Sequence, residues 1–299
     1  PTHESAREVI AVVPKGTSHL FWCTIEAGAR DAAKDYGVEI IWKGPLKEND
    51  RAQQIALVEQ LTTQDVTGIV LAPLDDVALL RPVKAAMGQG IPVLVFDTGL
   101  KGEPGQDFIS FVATDNFAAG RLAGKRMASI LGGSGKVGVL RYQVGSDSTT
   151  QREEGFLDFV RNSSSLEIVL DSQYGGVTVG EIIQTSEGIL DVLRELDGVF
   201  CPTEPTASGL MIALRKHGLA GQLKVIGFDS SEELLKGVQN GEIDSLVIQE
   251  PRRMAYLAVE TMVKHLRGEE VKPRIDTGAR LITSENMNEL EVETLSGGD

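Results

Sequence analysis

Phe108-Ile109-Ser110-Phe111-Val112-Ala113-Thr114-Asp115-Asn116 is the stretch on which the fold turns. Phe108, Ile109, Phe111 and Val112 are strand formers. Asp115 and Asn116 are good helix N-caps, and Phe117 to Ile130 reads as the helix behind them. Four strand–helix units are read before this stretch and four after it. It is therefore expected to be a hinge crossing between two α/β lobes, with function in the cleft it spans.

Working back from it, Val9 to Val13 is an apolar run that reads as a buried parallel strand. Phe21, Ile25, Ala29, Ala32, Ala33 and Tyr36 then recur at helical spacing, and Gly37 stops that helix. Strands are expected at 38–42, 68–72 and 92–96, with helices at 51–63 and 75–89. Pro82 lies inside the second of these helices, which starts after a short turn or kinks there.

Working forward, strands are expected at 136–142, 166–170, 198–201, 223–228, 245–248 and 280–283. Helices are expected at 150–160, 179–196, 204–217, 232–238 and 251–266, the last opening on Pro251. About nine such units imply parallel sheets covered on both faces. They are too many for one sheet, so two doubly wound lobes are expected, 8–113 plus 250–281 and 114–249 plus 282–299.

The totals narrow the function classes. The 299 residues are 41% hydrophobic and 24% charged, which describes a globular protein. The net charge is -14, which argues against nucleic acid as a partner. No apolar run reaches the roughly 18 residues of a membrane span. Cys23 and Cys201 lie in apolar runs and read as buried free thiols, with a disulfide as the other reading. The four histidines have no metal-ligand spacing, so no metal is expected. The chain begins at Pro1 with no leader, as an exported protein or a trimmed chain does. PTHESARE at the start and LSGGD at the end read as tails.

In doubly wound sheets ligands bind at the carboxyl ends of the strands. There the sequence places Lys15, Ser18, His19, Phe21 and Trp22, then Asp97 and Thr98. In the second half it places Arg152, Tyr174, Thr203, Glu204, Asp229 and Gln249. Carboxylates and amides accept hydroxyl protons, Lys and Arg donate, and an aromatic face covers the C–H face of a sugar ring. The mix suits a neutral polyhydroxy compound. Bland readings stand beside it. One of Phe21 and Trp22 packs inward, Arg152 pairs with Glu153 or Glu154 at the surface, and Asp229 caps the following helix.

No catalytic centre is legible. Gly132-Gly133-Ser134-Gly135-Lys136 is Gly-rich but precedes a strand, and 175–180 does not match a dinucleotide fingerprint. No Gly-x-Ser-x-Gly elbow follows a strand. No cofactor is expected.

With these residues in view, the chain resembles the ribose-type periplasmic sugar-binding proteins of ABC transporters, the type I periplasmic binding proteins, relatives also of the ligand domains of LacI-type repressors. The resemblance runs from about Val9 to Thr283. It rests on Val-Phe-Asp at 95–97, Ala-Thr-Asp-Asn at 113–116, Arg-x-x-Gly-Phe at 152–156, Gly-Phe-Asp at 227–229 and Val-Ile-Gln at 247–249. It implies ligand contacts from residues 18–22, Asp97, Thr98, Arg152, Thr203, Glu204, Asp229 and Gln249, with Tyr174 replacing an aromatic common near Val177. Lys15 after Pro14, Trp-Lys-Gly-Pro at 42–45 and Cys-Pro at 201–202 look more like the branch that binds autoinducer-2 or rhamnose.

The resemblance implies a monomeric periplasmic protein that captures a sugar or polyol by hinge closure at three crossings, near 112–115, 248–251 and 279–284, and delivers it to a permease. A transcription regulator with the same core is the alternative. It needs a helix-turn-helix before the first strand, where only eight residues precede Val9. A third reading is a sugar-modifying enzyme using His19 and Glu204.

Overall fold

The computed structural model describes residues 8–288. The tails at 1–7 and 295–299, and the 289–299 part of the expected second lobe, lie outside the described residues. In the first half β1 (Val9–Val13), α1 (Leu20–Tyr36), β2 (Glu39–Trp42), α2 (Arg51–Leu61), β3 (Gly68–Leu71), α3 (Leu80–Gly88) and β4 (Val93–Phe96) alternate. The opening stretch supplies β5 (Phe111–Ala113) and α4 (Asn116–Ile130). There follow β6 (Ser134–Val139), α5 (Asp147–Ser163), β7 (Ser165–Leu170), α6 (Val179–Gly188) and α7 (Leu190–Glu195). Next come β8 (Gly198–Phe200), α8 (Glu204–Lys216), β9 (Lys224–Phe228) and α9 (Glu232–Gln239). The described chain closes with β10 (Ser245–Ile248), α10 (Pro251–Leu266), β11 (Arg274–Asp276) and β12 (Arg280–Thr283).

The chain divides into two compact units. The first runs to Thr114 and takes in Gly145–Ser148 and Glu250–Gly278; the second is Asp115–Val144, Thr149–Gln249 and the chain from Ala279 on. Its boundaries differ from the expected lobes in three places. Thr114 stays with the first unit, where its Oγ1 donates to the Gly278 carbonyl at 3.1 Å. Residues 145–148 join the first unit, where the Asp76 N–H donates to the Gly145 carbonyl at 3.0 Å. Residues 279–281 fall in the second unit, because β12 pairs with β10.

Each unit holds one six-stranded sheet, ordered β11-β5-β4-β3-β1-β2 in the first and β12-β10-β9-β8-β6-β7 in the second. The first sheet is parallel throughout. In the second, β10–β12 is antiparallel and the other pairs are parallel. Both orders place the first strand of the unit between its second and third. The direction of winding reverses there, and the strand ends beside that point are free to line a site. Both faces are covered. In β1, Ile10 and Val12 pack towards α1 and α10, while Ala11 and Val13 pack towards α2 and α3. Period-two alternation with apolar residues on both faces produces this.

Several elements depart from the sequence expectation for local reasons. The segment before β5 carries no helix, so three helices precede the opening stretch, and Phe108 to Ser110 lie ahead of the strand. Phe108 is nonetheless buried in the core. α3 starts at Leu80, because Asp75 Oδ1 accepts the N–H groups of Val77 and Ala78 and holds a separate turn first. Pro82 then falls in the first helical turn, where its missing donor is not needed. α5 begins three residues early, at Asp147. The helix expected at 179–196 breaks at Ile189, after Gly188. The strand expected at 136–142 is Ser134–Val139. β11 was not expected; three residues with two charges and an exposed face carry too little pattern.

The two units repeat one helix crossing. Gly28 is the ninth residue of α1, and a Cβ there would lie 2.0 Å from the carbonyl oxygen of Arg252, second in α10. Gly155 is the ninth residue of α5, and a Cβ there would lie 2.1 Å from the carbonyl oxygen of Phe117, second in α4. Only glycine permits backbone contact this close.

Candidate functional site

In the first unit, Lys15 follows Pro14 at the end of β1 and is 3% exposed. Its Nζ donates to Thr98 Oγ1 and Ser146 Oγ, each at 3.2 Å, and lies 3.7 Å from Glu48 Oε2. Thr98 Oγ1 donates to Asp97 Oδ2 at 2.8 Å and lies 2.9 Å from Ser148 Oγ. The side chain of Gln54 on α2 ties neighbouring strand ends together. Its Nε2 donates to the carbonyls of Pro14 and Ala72, and its Oε1 accepts the Leu74 N–H.

Asp97 stands directly after β4 with φ of 62°. A left-handed conformation in a non-glycine residue is uncommon and is tolerated best by Asp and Asn. Such strain gathers at binding and catalytic sites, which makes Asp97 a candidate on backbone grounds as well as chemical ones.

The residues expected after β1 divide. Trp22 is 2% exposed, packs edge-on to Phe21 and Phe96, and donates its Nε1–H to Glu48 Oε1 at 2.7 Å. It is a core residue, not an open platform for a sugar. Phe21 is half-buried, Ser18 is exposed, and His19 holds the N-cap position of α1 without a capping side-chain bond.

In the second unit, Arg152 on α5 is 3% exposed and gripped on several sides. Its Nε donates to Asn116 Oδ1 at 2.8 Å and its Nη1 to the Pro202 carbonyl at 3.0 Å. Nη1 also lies 4.0 Å from Asp229 Oδ2, and the guanidinium sits 3.8 Å from the Phe228 ring centroid. The expected surface pairing of Arg152 with Glu153 or Glu154 is not what forms; Arg141 takes both carboxylates. Asp229 follows β9 with φ of 64°. It does not cap α9, a role taken by Ser231.

Gln249 Nε2 donates to Asp229 Oδ1 at 2.7 Å. A carboxylate only accepts, so the amide nitrogen must face it and Oε1 must point away. That Oε1 is buried and has no protein partner. A buried acceptor left this way costs free energy until a donor reaches it.

Thr203 caps α8, its Oγ1 accepting the Thr206 N–H, and Glu204 Oε1 accepts from Ser208. Both therefore have structural partners at the end of β8. Tyr174 stands apart, 40% exposed, on the rim of an open depression of about 520 Å³ shared with Gln143, Val144, Gln184 and Thr185. It follows β7, three places from β9 in the sheet, or about 14 Å at ordinary strand spacing.

Sequence reasoning missed Glu48, Gln54, Asn116 and Ser146. Asn116 reads as a cap in the sequence, but the N-cap of α4 is Asp115, which accepts the Ala118 N–H. The only signal was two adjacent cap formers where one suffices. The cysteines also differ from expectation, for both are free but Cys23 is exposed. Burial pushes the Cys201 thiol well above its usual range, so it is no nucleophile. Among the described residues no group of His, Cys, Asp and Glu could hold a metal ion, and no helix is long and apolar enough to cross a membrane.

A model of the periplasmic binding protein domain matches residues 10–270, and the chain belongs to that family. The ribose import binding protein of Haemophilus influenzae is 27% identical over 93% of this chain and 92% of its own length. The D-ribose/D-allose-binding protein of Pseudomonas aeruginosa is 28% identical, covering 92% and 88%. Among solved structures, a carbohydrate transporter solute-binding protein from Agrobacterium radiobacter in complex with D-arabinose superposes with a TM-score of 0.91 at 32% identity, covering 97% of this chain and 99% of that one. An ABC transporter solute-binding protein from Agrobacterium vitis with bound D-fucose gives 0.90 at 34%, covering 95% and 98%.

Proposed function

We propose that this chain is the sugar-binding protein of an ABC importer, working in the periplasm and delivering a neutral sugar or polyol to a membrane permease. The observation that carries the reading is the Arg152–Asp229–Gln249 cluster with the unpartnered Gln249 Oε1. A ligand hydroxyl donates to that oxygen, and further hydroxyls accept from Arg152 and donate to Asp229. In the first unit, Lys15, Asp97 and Thr98 offer hydroxyls the same kinds of donor and acceptor. A ligand shifts the protein towards a binding-competent form only to the extent that it binds that form better. The chain acts as a monomer and catalyses no change in its ligand.

The relatives favour transport over gene regulation, since those named above are an import binding protein, a sugar-binding protein and two transporter solute-binding proteins. Isothermal titration against D-ribose, D-allose, D-arabinose, D-fucose and neutral polyols tests the reading. One of them binding with a Kd of about 10 μM or tighter, and recovered unchanged, supports it. No heat with any of them sinks it.

A further inference from the structure

Glu48 belongs to no strand or helix, yet its carboxylate is buried and held at both oxygens. Oε1 accepts from the Trp22 indole, whose ring is locked in the core between Phe21 and Phe96. Oε2 lies 3.7 Å from Lys15 Nζ. Gly16 makes room for it, since a Cβ there would come within 3.1 Å of Glu48 Cγ. On its other sides the ammonium donates to the hydroxyls of Thr98 and Ser146, and the Asp97 carboxylate stands one hydrogen bond further out, on the Thr98 hydroxyl, so Glu48 is the carboxylate that faces the ammonium directly. Away from water a single ammonium attracts an anion strongly, and a carboxylate at this distance cancels most of that field.

We propose that Glu48 is the charge-selectivity residue: it neutralises Lys15, so that the strand-end set of the first unit accepts an uncharged sugar and rejects the corresponding sugar acid. Lys15 then acts on the ligand as an oriented hydrogen-bond donor and not as an anion trap. The indole bond fixes where the compensating charge sits. The inference rests on the sugar-binding reading above.

The test uses D-fucose and D-galacturonate, which share ring configuration and differ at C6 by methyl against carboxylate. Glu48→Gln keeps an oxygen for the Trp22 indole and removes the charge. The wild type is expected to bind D-galacturonate at least a hundredfold more weakly than D-fucose. In Glu48→Gln that ratio narrows tenfold or more. Adding Glu48→Gln to Lys15→Met leaves the ratio as it is in Lys15→Met alone, since the charge to be compensated is gone. A merely structural Glu48 lowers both affinities together and leaves the ratio within twofold, which overturns the proposal. So does an equal narrowing in the Lys15→Met background. If the wild type binds neither D-fucose nor any other neutral sugar, the sugar reading itself fails, and that failure shows before any variant is measured.

Discussion

The two units carry the same backbone devices and opposite side-chain strategies. Each places a left-handed aspartate after its fourth sheet strand, Asp97 after β4 and Asp229 after β9. Each packs two helices closely on a glycine, Gly28 of α1 or Gly155 of α5. The cations differ. Lys15 is a compact charge on a flexible stem, set among hydroxyls with Glu48 beside it. Arg152 is a planar fork stacked on Phe228 and pinned by Asn116 and Pro202. Lys and Arg are not interchangeable in such roles. Under the proposed function, Arg152 is the anchor for the ligand and Lys15 the partner whose charge Glu48 sets. A repeated fold fixes where the strand-end groups of each unit stand, while their side chains differ in how they are held.

The largest expected effect tests that division. Arg152→Ala should weaken sugar binding at least a hundredfold, about 3 kcal/mol, and Lys15→Met nearer tenfold, both by titration calorimetry. Equal losses would break the distinction between anchor and partner.

Gly28→Ala and Gly155→Ala sharpen the shared half of the comparison. Each should destabilise the protein by about 2–3 kcal/mol in urea unfolding, because a methyl cannot occupy a space 2.0 or 2.1 Å from a carbonyl oxygen. If only one does so, the crossings are not equivalent.

The next effect separates the units by pH. Burial pushes the Glu153 carboxyl up to about 7, although Arg141 lies 2.9 Å away and the Tyr142 N–H donates to it. Its native pKa exceeds its unfolded value near 4.5, so the native state binds the extra proton between them. Its contribution to stability is complete below about pH 4.5 and is lost as pH rises through 7. Thermal unfolding should show Glu153→Gln to be more stable than wild type at pH 8, by on the order of 2 kcal/mol, and not at pH 4. An unchanged difference across that range would refute it.

The smallest effect concerns strain. Asp97→Gly and Asp229→Gly should each raise stability by about 1 kcal/mol or leave it unchanged, since glycine adopts the left-handed region freely. Both should lose sugar affinity. A drop in stability in either would show the carboxylate to be structural at that strand end.

Much of this molecule is legible in its sequence. Val9–Val13 and Gly68–Leu71 announce buried strands by composition, Gly37 stops α1 with φ of 70°, and Pro251 opens α10. The places of Asp97, Arg152, Asp229 and Gln249, just after strands or early in a helix, are also legible there. Which of Phe21 and Trp22 packs inward is not legible, because the pair suits a binding platform and a core anchor alike. The roles of Glu48 and Asn116 are not legible either, because their partners lie 26 and 36 residues away.

The reason is one of range. Strand alternation, helical spacing, caps and glycine stops act over a few residues, so the sequence by itself determined the elements, their order and the polar character of the strand ends. Which polar groups meet depends on sheet order and helix crossing, which bring distant loops together. Tertiary structure alone decided that Arg152 lies over Phe228, that Glu48 stands against Lys15, and that one amide oxygen of Gln249 is buried without a protein partner.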